Sequence, residues 1–495
     1  MNYTSTRDNS RRVTAQEAIV RGISPEGGLF VPEAMPALTG EDLAALAKMT
    51  YIQRAKWVLE KFLPDWTAEE LSAAVEAAYG GDRFEDGNPA PLSRLDENCY
   101  LLELWHGPTC AFKDMALQLL PKLLPAAARK SGCGKEIAIL VATSGDTGKA
   151  ALEGFRDVPG TRIQVFYPQE GVSSMQKRQM TTQQGGNVSV VGIRGNFDDA
   201  QNGVKAIFGN EAMAKTLGER GFALSSANSI NWGRLVPQIV YYISAYCTLL
   251  ADGELKTGEA VNFCVPTGNF GNILAGYYAK QMGLPVKRFL CASNRNNVLT
   301  DFIATGRYDR NRRFYTTTSP SMDILISSNL ERLVYLLTGK NDGETREKMA
   351  ALGETGVYQL DERELSALQK EFFGGCCDDE EAARTIRETF REYGYLCDPH
   401  TAVAMNVCRQ YRKETGDETR TIVLSTASPY KFGDTVLAAL GEDCPGDDFA
   451  RLSALEQISG LPVPAALSTL KDAPVRFGEV CAPEEMGEKV LEFLG

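Results

Sequence analysis

From Tyr100 to Leu424 the chain alternates short apolar segments with longer amphipathic ones, and this alternation constrains the fold more than any other feature. Strands that alternate with helices pair in parallel, and the preferred handedness of the crossover favours a doubly wound α/β sheet. Ligands of such sheets bind at the carboxyl ends of the strands. The predicted strands are 137–143, 162–167, 188–193, 222–225, 260–265, 288–292 and 421–424, and the predicted helices between them include 149–155, 174–180, 198–208 and 272–282.

The first 90 or so residues have a helical pattern instead, with amphipathic segments at 15–20, 41–49, 51–62 and 68–79. Two of these segments begin with a capping box, formed by Thr14 with Glu17 and by Thr67 with Glu70. Residues 330–395 are also predicted to be helical, and the acidic, glycine-bearing stretch 441–448 is typical of a linker. We expect a helical N-terminal domain at residues 1–92, an α/β catalytic domain at 93–440 and a C-terminal extension at 441–495. Within the catalytic domain, residues from about 135 to 225 are expected to form a smaller, mobile subdomain.

Composition excludes several classes of protein. The net charge of −12 argues against a nucleic-acid partner, since neutralising phosphates needs clustered Lys and Arg. The longest apolar stretch, 236–250, contains Gln238 and is predicted to be a buried helix, so no membrane partner is expected. The first eight residues lack the apolar core of a signal peptide, which leads us to expect a cytoplasmic protein. The sequence does not indicate whether the protein is a monomer or a dimer.

Histidine and cysteine usage narrows the chemistry further. The only histidines are His106 and His400, and the twelve cysteines form no C-x-x-C pair, so no metal site is expected. An enzyme with so few histidines needs another group for proton transfer. A lysine acts as a base when burial or a neighbouring charge lowers its pKa, and this favours Schiff-base chemistry.

Glycine-rich turns lie after two of the predicted strands. The turn 145–149 is not a P-loop, because Thr143 stands where the first glycine belongs and Ala150 where Ser or Thr would bind magnesium. Gly132-Cys133-Gly134 lacks the third glycine of a dinucleotide fingerprint. The turn Gly268-Asn269-Phe270-Gly271-Asn272 opens a predicted helix and suits a phosphate, although an ordinary strand-to-helix turn is an equally good interpretation.

Lys113 lies in the segment His106-Gly107-Pro108-Thr109-Cys110-Ala111-Phe112-Lys113-Asp114, with apolar neighbours on both sides. Apolar surroundings would desolvate the amine, lower its pKa and favour imine formation. The alternative is a surface lysine whose stem covers apolar neighbours.

The H-G-P-T-x-A-F-K-D segment around Lys113 resembles the cofactor-binding lysine motif of the threonine synthase family. Other segments are similar to the same family in the same order along nearly the whole chain. They are 3–7 (YTSTR), 27–32 (GGLFVP), 142–148 (ATSGDTG), 228–234 (NSINWGR), 266–272 (PTGNFGN), 327–332 (SSNLER), 398–402 (DPHTA) and 424–429 (LSTASP). The resemblance implies a fold type II enzyme that depends on pyridoxal 5′-phosphate (PLP) and has two α/β subdomains.

The resemblance also implies roles for particular residues. Lys113 would hold PLP as an imine and move protons, residues Gly268, Asn269, Phe270, Gly271 and Asn272 would bind the cofactor phosphate, and Thr426 would meet the pyridine nitrogen. The substrate carboxylate would bind Ser144, Gly145, Asp146 and Thr147, and the substrate phosphate would bind Asn228, Ser229 and Arg234. Ser428 stands where the family has a histidine.

The implied reaction converts O-phospho-L-homoserine and water to L-threonine and phosphate, by γ-elimination followed by addition of water at the β-carbon. Two alternatives remain at this stage. One is an enzyme of the same fold, such as a phospho-lyase that releases 2-oxobutyrate or an amino-acid dehydratase, although a dehydratase needs no phosphate clamp. The other is a non-catalytic protein that binds PLP or an amino acid.

Overall fold

The computed structural model describes residues 1–495, and its N-terminal part combines helices with a small antiparallel sheet of order β2-β1-β3. The predicted helices are present, and both predicted capping boxes form at Thr14 and Thr67. The three short strands were not predicted, because polar residues such as Asp8 and Arg11 occupy much of β2. The elements are β1 (Tyr3–Ser5), β2 (Asp8–Val13), α1 (Ala15–Arg21), β3 (Phe30–Pro32), α2 (Gly40–Leu46), α3 (Tyr51–Phe62) and α4 (Ala68–Tyr79).

A five-stranded parallel sheet has the order β16-β8-β7-β6-β9, and β16 (Val480–Cys481) completes it from near the C-terminus. The other four strands lie in the stretch that follows α4 and ends at residue 225. Its elements are β4 (Leu92–Arg94), β5 (Cys99–Glu103), α5 (Asp114–Leu117), α6 (Leu120–Lys130), β6 (Glu136–Ala142), α7 (Asp146–Phe155), β7 (Thr161–Pro168), α8 (Ser174–Thr181), β8 (Val188–Ile193), α9 (Phe197–Phe208), α10 (Glu211–Glu219) and β9 (Phe222–Ser225).

Residues 226–440 contribute most of a six-stranded sheet of order β14-β11-β10-β15-β5-β4, in which only the edge strand β4 runs antiparallel. The elements are α11 (Trp232–Ala251), β10 (Val261–Pro266), α12 (Gly271–Met282), β11 (Val286–Ser293), α13 (Val298–Thr305), β12 (Arg307–Asp309), α14 (Leu330–Leu337), α15 (Asp342–Glu354), β13 (Val357–Gln359), α16 (Glu362–Glu371), β14 (Phe372–Cys376), α17 (Asp379–Tyr393), α18 (Pro399–Thr415), β15 (Thr421–Ser425) and α19 (Gly433–Leu440).

The two parallel sheets confirm the predicted α/β class, and each strand predicted from sequence is present. Two strands, β13 and β14, interrupt the region 330–395 that was predicted to be helical. The first pairs with β12, and the second, Phe-Phe-Gly-Gly-Cys, pairs with β11 although its two glycines weaken its strand signal.

The last fifty residues return to the smaller sheet, where β16 pairs with β8 in parallel. The elements are α20 (Asp448–Ser459), α21 (Ala465–Ser468), β16 (Val480–Cys481) and α22 (Met486–Phe493). The domain limits given above remain a prediction, since sheet membership alone does not fix where one unit ends.

Helix α11 lies at the centre of the molecule and packs against α3, α5 and α12. Almost all of its residues are buried, including the polar Arg234 and Gln238, as expected for a core helix. Despite its 20 residues, neither α11 nor any other helix combines the length and apolar character that a membrane span requires.

Candidate active site

Lys113 stands at the start of α5, and its amine contacts side chains from two distant segments of the chain. The Nζ atom lies 3.1 Å from Ser321 Oγ and 3.5 Å from Asp146 Oδ2, and only 10% of the side chain is exposed. Burial lowers the pKa of Lys113 to about 8, against the opposing effect of the Asp146 carboxylate. About a tenth of the amine is therefore neutral and nucleophilic at pH 7, far more than for an exposed lysine.

Asp146 is the first residue of α7, and its carboxylate forms a buried ion pair with Lys431. Lys431 Nζ lies 2.5 Å from Oδ1, and Gln176 Nε2 donates to the same oxygen over 2.8 Å. Burial opposes ionisation, but the charges of Lys431 and Lys113 hold the pKa of Asp146 well below its usual range. Asp146 is therefore a fixed anion next to the Lys113 amine.

The turn 268–272 joins β10 to α12 and presents the free N–H groups of a helix start. Phe270 has a left-handed backbone (φ 61°) and is buried, so the turn is held rigidly. The Asn272 amide oxygen accepts hydrogen bonds from the hydroxyls of Tyr241 and Tyr242, at 2.6 and 2.7 Å. Its Nδ2 is buried without a partner, and a cofactor phosphate would supply the missing acceptor.

The turn 144–147 joins β6 to α7 and brings its polar groups to the same side of the molecule as Lys113. Gly145 has φ 134°, a conformation that suits glycine, and a Cβ there would lie 2.5 Å from the Gln176 side chain. Ser144 and Thr147 are partly exposed, whereas Asp146 is buried. Because the Asp146 side chain pairs with Lys113 and Lys431, the groups of this turn that could bind a substrate carboxylate are hydroxyls and backbone N–H groups.

Arg234 lies in the first turn of α11 and is 5% exposed. Its guanidinium donates to Ala227 O over 2.8 Å and to Thr147 Oγ1 over 3.4 Å, and it has no carboxylate partner. Burial lowers its pKa to about 10, so it remains a cation at neutral pH. It bonds Thr147, whose neighbour Asp146 contacts the Lys113 amine, so the guanidinium and the amine belong to the same site. A buried guanidinium without a counter-charge favours an anionic ligand.

Asn228 and Ser229 precede α11 in the same motif, and both are partly exposed. The Ser229 hydroxyl lies 3.3 Å from Ser328 Oγ and accepts from Asn329 Nδ2 over 3.1 Å. Asn329 Nδ2 also donates to Asn269 O over 3.1 Å. The structure thus joins Ser229 to the 268–272 turn through the 327–332 segment, whereas Arg234 faces the 144–147 turn.

Thr426 follows β15, and its carbonyl accepts a hydrogen bond from Phe112 N over 2.8 Å. This contact places Thr426 beside the residue that precedes Lys113. Ser428 is fully buried, and its hydroxyl has no hydrogen-bond partner. Its backbone N–H donates to Cys110 O over 3.1 Å, which ties this loop to the Lys113 loop a second time.

The two histidines have different surroundings. His400 is buried; its Nδ1 lies 2.7 Å from Asp398, and its Nε2 accepts from Ser321 N over 3.2 Å. His106 lies between Glu85 and Glu103, at 2.8 and 2.7 Å. Burial lowers its pKa, but the two carboxylates outweigh burial and raise the pKa to about 9.

Sequence reasoning missed three side chains that complete the surroundings of Lys113, namely Ser321, Lys431 and Gln176. Ser321 lies in a single 3₁₀ turn (Pro320–Met322) within the otherwise irregular segment 310–329, and no local pattern distinguishes its hydroxyl. Lys431 lies two residues beyond the 424–429 motif, and the nearness of that motif was the only signal for it.

The residues present fit PLP on three observations from the structure. Lys113 provides a buried amine of lowered pKa, the turn 268–272 provides a helix start, and Asn272 provides an unused buried donor. Together with the two α/β sheets, they define the class of protein as a PLP-dependent enzyme.

Comparisons with known proteins identify the family within that class. Three family models match, described as threonine synthase N terminus (residues 2–79), pyridoxal-phosphate dependent enzyme (86–427) and threonine synthase, C-terminal (401–489). The chain belongs to the threonine synthase family.

Individual relatives agree with that assignment. A threonine synthase of Pseudomonas aeruginosa is 40% identical, over 88% of this chain and 90% of the relative. The crystal structure of PLP-bound threonine synthase from Brucella melitensis is 37% identical, with a TM-score of 0.88 over 100% of this chain and 99% of that one. Threonine synthase-like 1 of Homo sapiens is 42% identical over 88% of this chain, which spans only 59% of that relative's length.

Proposed function

We propose that this protein is a threonine synthase that converts O-phospho-L-homoserine and water to L-threonine and phosphate. The observation that carries the proposal is Arg234, a buried guanidinium without a carboxylate partner that bonds Thr147, the residue next to the Asp146 that contacts the Lys113 amine. A substrate that has both an amino group and a phosphate satisfies both residues at once. A substrate without a strong anion would leave the Arg234 charge buried and unpaired.

Lys113 supplies the covalent attachment and the proton transfers. PLP held there supplies the electron withdrawal that makes the α-proton of an amino acid acidic. The Nζ atom of Lys113, once the substrate amine has displaced it, accepts the α-proton. It must return that proton to the bound substrate and cofactor before it can accept a second proton from the β-carbon. The pKa of about 8 suits this role, because an amine near the working pH both accepts and returns protons.

The substrate phosphate binds the motif of residues 228–234. Arg234 supplies a planar fork of donors for phosphate oxygens, and Asn228 and Ser229 supply neutral donors from the start of the same motif. Phosphate leaves from the γ-carbon, and charge builds up on its oxygens as it does so. The low-dielectric surroundings of Arg234 strengthen its attraction for that charge, so we expect it to favour departure.

The substrate carboxylate binds the turn 144–147. The hydroxyls of Ser144 and Thr147 and the backbone N–H groups of Gly145 and Asp146, at the start of α7, are the donors we assign to it. The Asp146 side chain stays with Lys431 and does not meet the carboxylate. At the opposite edge, Thr426 would give the pyridine nitrogen a hydroxyl partner.

Each of the twelve cysteines is a free thiol. Reducing compartments keep thiols in this form, and this supports our proposal of a cytoplasmic protein. The proposed substrate is a small molecule, and the proposal requires no macromolecular partner.

A single assay tests the reaction. Purified protein loaded with PLP is mixed with O-phosphohomoserine, and released phosphate and amino-acid products are quantified in the same tube. We expect one threonine for each phosphate. Phosphate accompanied by 2-oxobutyrate would replace the synthase with a phospho-lyase of the same fold. PLP binding without phosphate release would indicate a non-catalytic binding protein, and the assignment of residues 228–234 would then be abandoned.

A further inference from the structure

The amine of Lys113 belongs to a closed set of hydrogen bonds. Its Nζ lies 3.1 Å from Ser321 Oγ and 3.5 Å from Asp146 Oδ2, while Ser321 Oγ lies 3.3 Å from the same Asp146 oxygen. These groups come from three distant segments of the chain. The amine therefore has a defined direction, although the stem of a lysine side chain is flexible.

The carboxylate of Asp146 cannot turn away from Lys113. Its Oδ1 is bound by Lys431 at 2.5 Å and by Gln176 at 2.8 Å, which leaves Oδ2 for the amine and for Ser321. The Lys431 side chain is fully buried, and its Nζ donates also to Thr109 O over 3.1 Å. The ion pair thus joins the first turn of α7 in the smaller sheet to the loop that follows β15 in the larger one.

Ser321 is held as firmly as Asp146. Its backbone N–H donates to His400 Nε2 over 3.2 Å, and a Cβ on Gly268 would lie only 2.5 Å from its carbonyl oxygen. Two residues further on, the carboxylate of Asp323 accepts from Asn294 at 2.7 Å and from Asn296 at 2.9 Å. These contacts fix an otherwise irregular loop and set the position of the Ser321 hydroxyl.

We propose that Ser321 and Asp146 are positioning residues for Lys113: Ser321 directs the amine toward the substrate carbons, and Asp146, held by Lys431, sets its basicity. The inference rests on the proposed function, in which the Lys113 amine exchanges protons with the substrate. It assigns roles to Ser321, Asp146 and Lys431 in orienting that amine and setting its basicity.

The charges around the amine predict the direction in which each substitution should change its basicity. The charged groups that face Lys113 are Asp146, which favours its protonated form, and Arg234 and Lys431, which disfavour it. Removing the Lys431 charge should therefore make the amine more basic, and removing the Asp146 charge should make it less basic. A purely structural role for the ion pair would not produce shifts of opposite sign.

The first experiment measures the pH at which Lys113 becomes reactive. Cofactor-free protein is mixed with PLP at a series of pH values, the bond to Lys113 is trapped with borohydride, and its rate of formation is quantified by peptide mass spectrometry. We expect Lys431→Met to move the midpoint of the profile upward by about one pH unit, and Asp146→Asn to move it downward by about as much. The double variant leaves no unpaired buried charge and should fall between them.

Lys149→Met is the matched control, because Lys149 is another buried lysine of α7 whose amine bonds Gln183 and Glu153. Its midpoint should equal that of the wild type. Unchanged midpoints in the Lys431→Met and Asp146→Asn variants would overturn the role given to the ion pair. Failure of the wild type to trap PLP at Lys113 would instead overturn the proposed function, so the two failures are distinguishable.

The second experiment examines Ser321 with O-phosphohomoserine as substrate. Ser321→Ala should lower kcat by about tenfold with little change in KM, because the hydroxyl orients the amine and does not bind substrate. Ser321→Thr keeps a hydroxyl and should recover most of the lost rate. Equal kcat values for Ser321→Ala and the wild type would overturn the role given to Ser321, and so would failure of Ser321→Thr to recover activity while it binds PLP normally.

Discussion

Arg234 donates a hydrogen bond from Nη2 to the hydroxyl oxygen of Thr147 over 3.4 Å. The two residues are 87 positions apart and belong to motifs to which we assign different ends of the substrate, the phosphate and the carboxylate. Under the proposed function, their contact brings the groups for the phosphate and the groups for the carboxylate into one site.

Replacing Arg234 should weaken binding of the substrate phosphate. Arg234→Gln should lower kcat/KM for O-phosphohomoserine by about thirtyfold or more, since truncating one partner of a buried charge pair costs about 2–5 kcal/mol. Arg234→Lys keeps the charge but loses the planar fork, so its loss should be smaller. Steady-state kinetics with both variants check this, and an unchanged kcat/KM in Arg234→Gln would remove Arg234 from the site.

Lys113→Ala should abolish turnover and covalent cofactor attachment together, because the same amine is proposed to perform both tasks. The readouts are threonine formation and the mass of the protein after borohydride treatment with PLP. Lys122→Ala, a change to a half-buried lysine of α6, is the control and should retain both properties. Threonine formation by Lys113→Ala would contradict the assignment.

Gly268→Ala should weaken the binding of PLP. The added Cβ would lie 2.5 Å from the backbone oxygen of Ser321, and a backbone atom cannot move aside as the end of a side chain can. Overpacking of this kind costs about 1–3 kcal/mol, so the Kd for PLP should rise by about five- to a hundredfold. Gly134→Ala, where a Cβ would meet no atom within 4 Å, should bind PLP like the wild type. Fluorescence titration of cofactor-free protein decides between these outcomes.

His106 should make stability depend on pH. Its pKa is raised from an ordinary 6.5 to about 9, so its contribution is fully present below pH 6.5 and is lost as pH rises toward 9. Because the ring is partly exposed, the contribution is on the order of 1–2 kcal/mol. The Tm advantage of the wild type over His106→Gln should shrink across this interval in thermal scans. An advantage that stays constant with pH would show that His106 does not titrate there.

Much of the fold was predictable because its signals are local. Apolar segments such as 137–143 and 188–193 are short enough, and regular enough, to identify buried parallel strands, and all of the predicted strands exist. The capping boxes at Thr14 and Thr67 formed because both partners lie within one helical turn. The strand β14 was missed, because its pairing with β11 depends on a strand almost eighty residues earlier in the chain.

The parallel α/β architecture, the family and the lysine all follow from patterns of neighbouring residues, so they could be read from the chain alone. The surroundings of that lysine depend on how distant segments fold together. Ser321 and Lys431 lie 208 and 318 positions beyond Lys113, and no local pattern indicates that they reach the same carboxylate. Charges act on a pKa through distance in space, so the basicity of Lys113 depends on the packing of the two sheets rather than on its own segment.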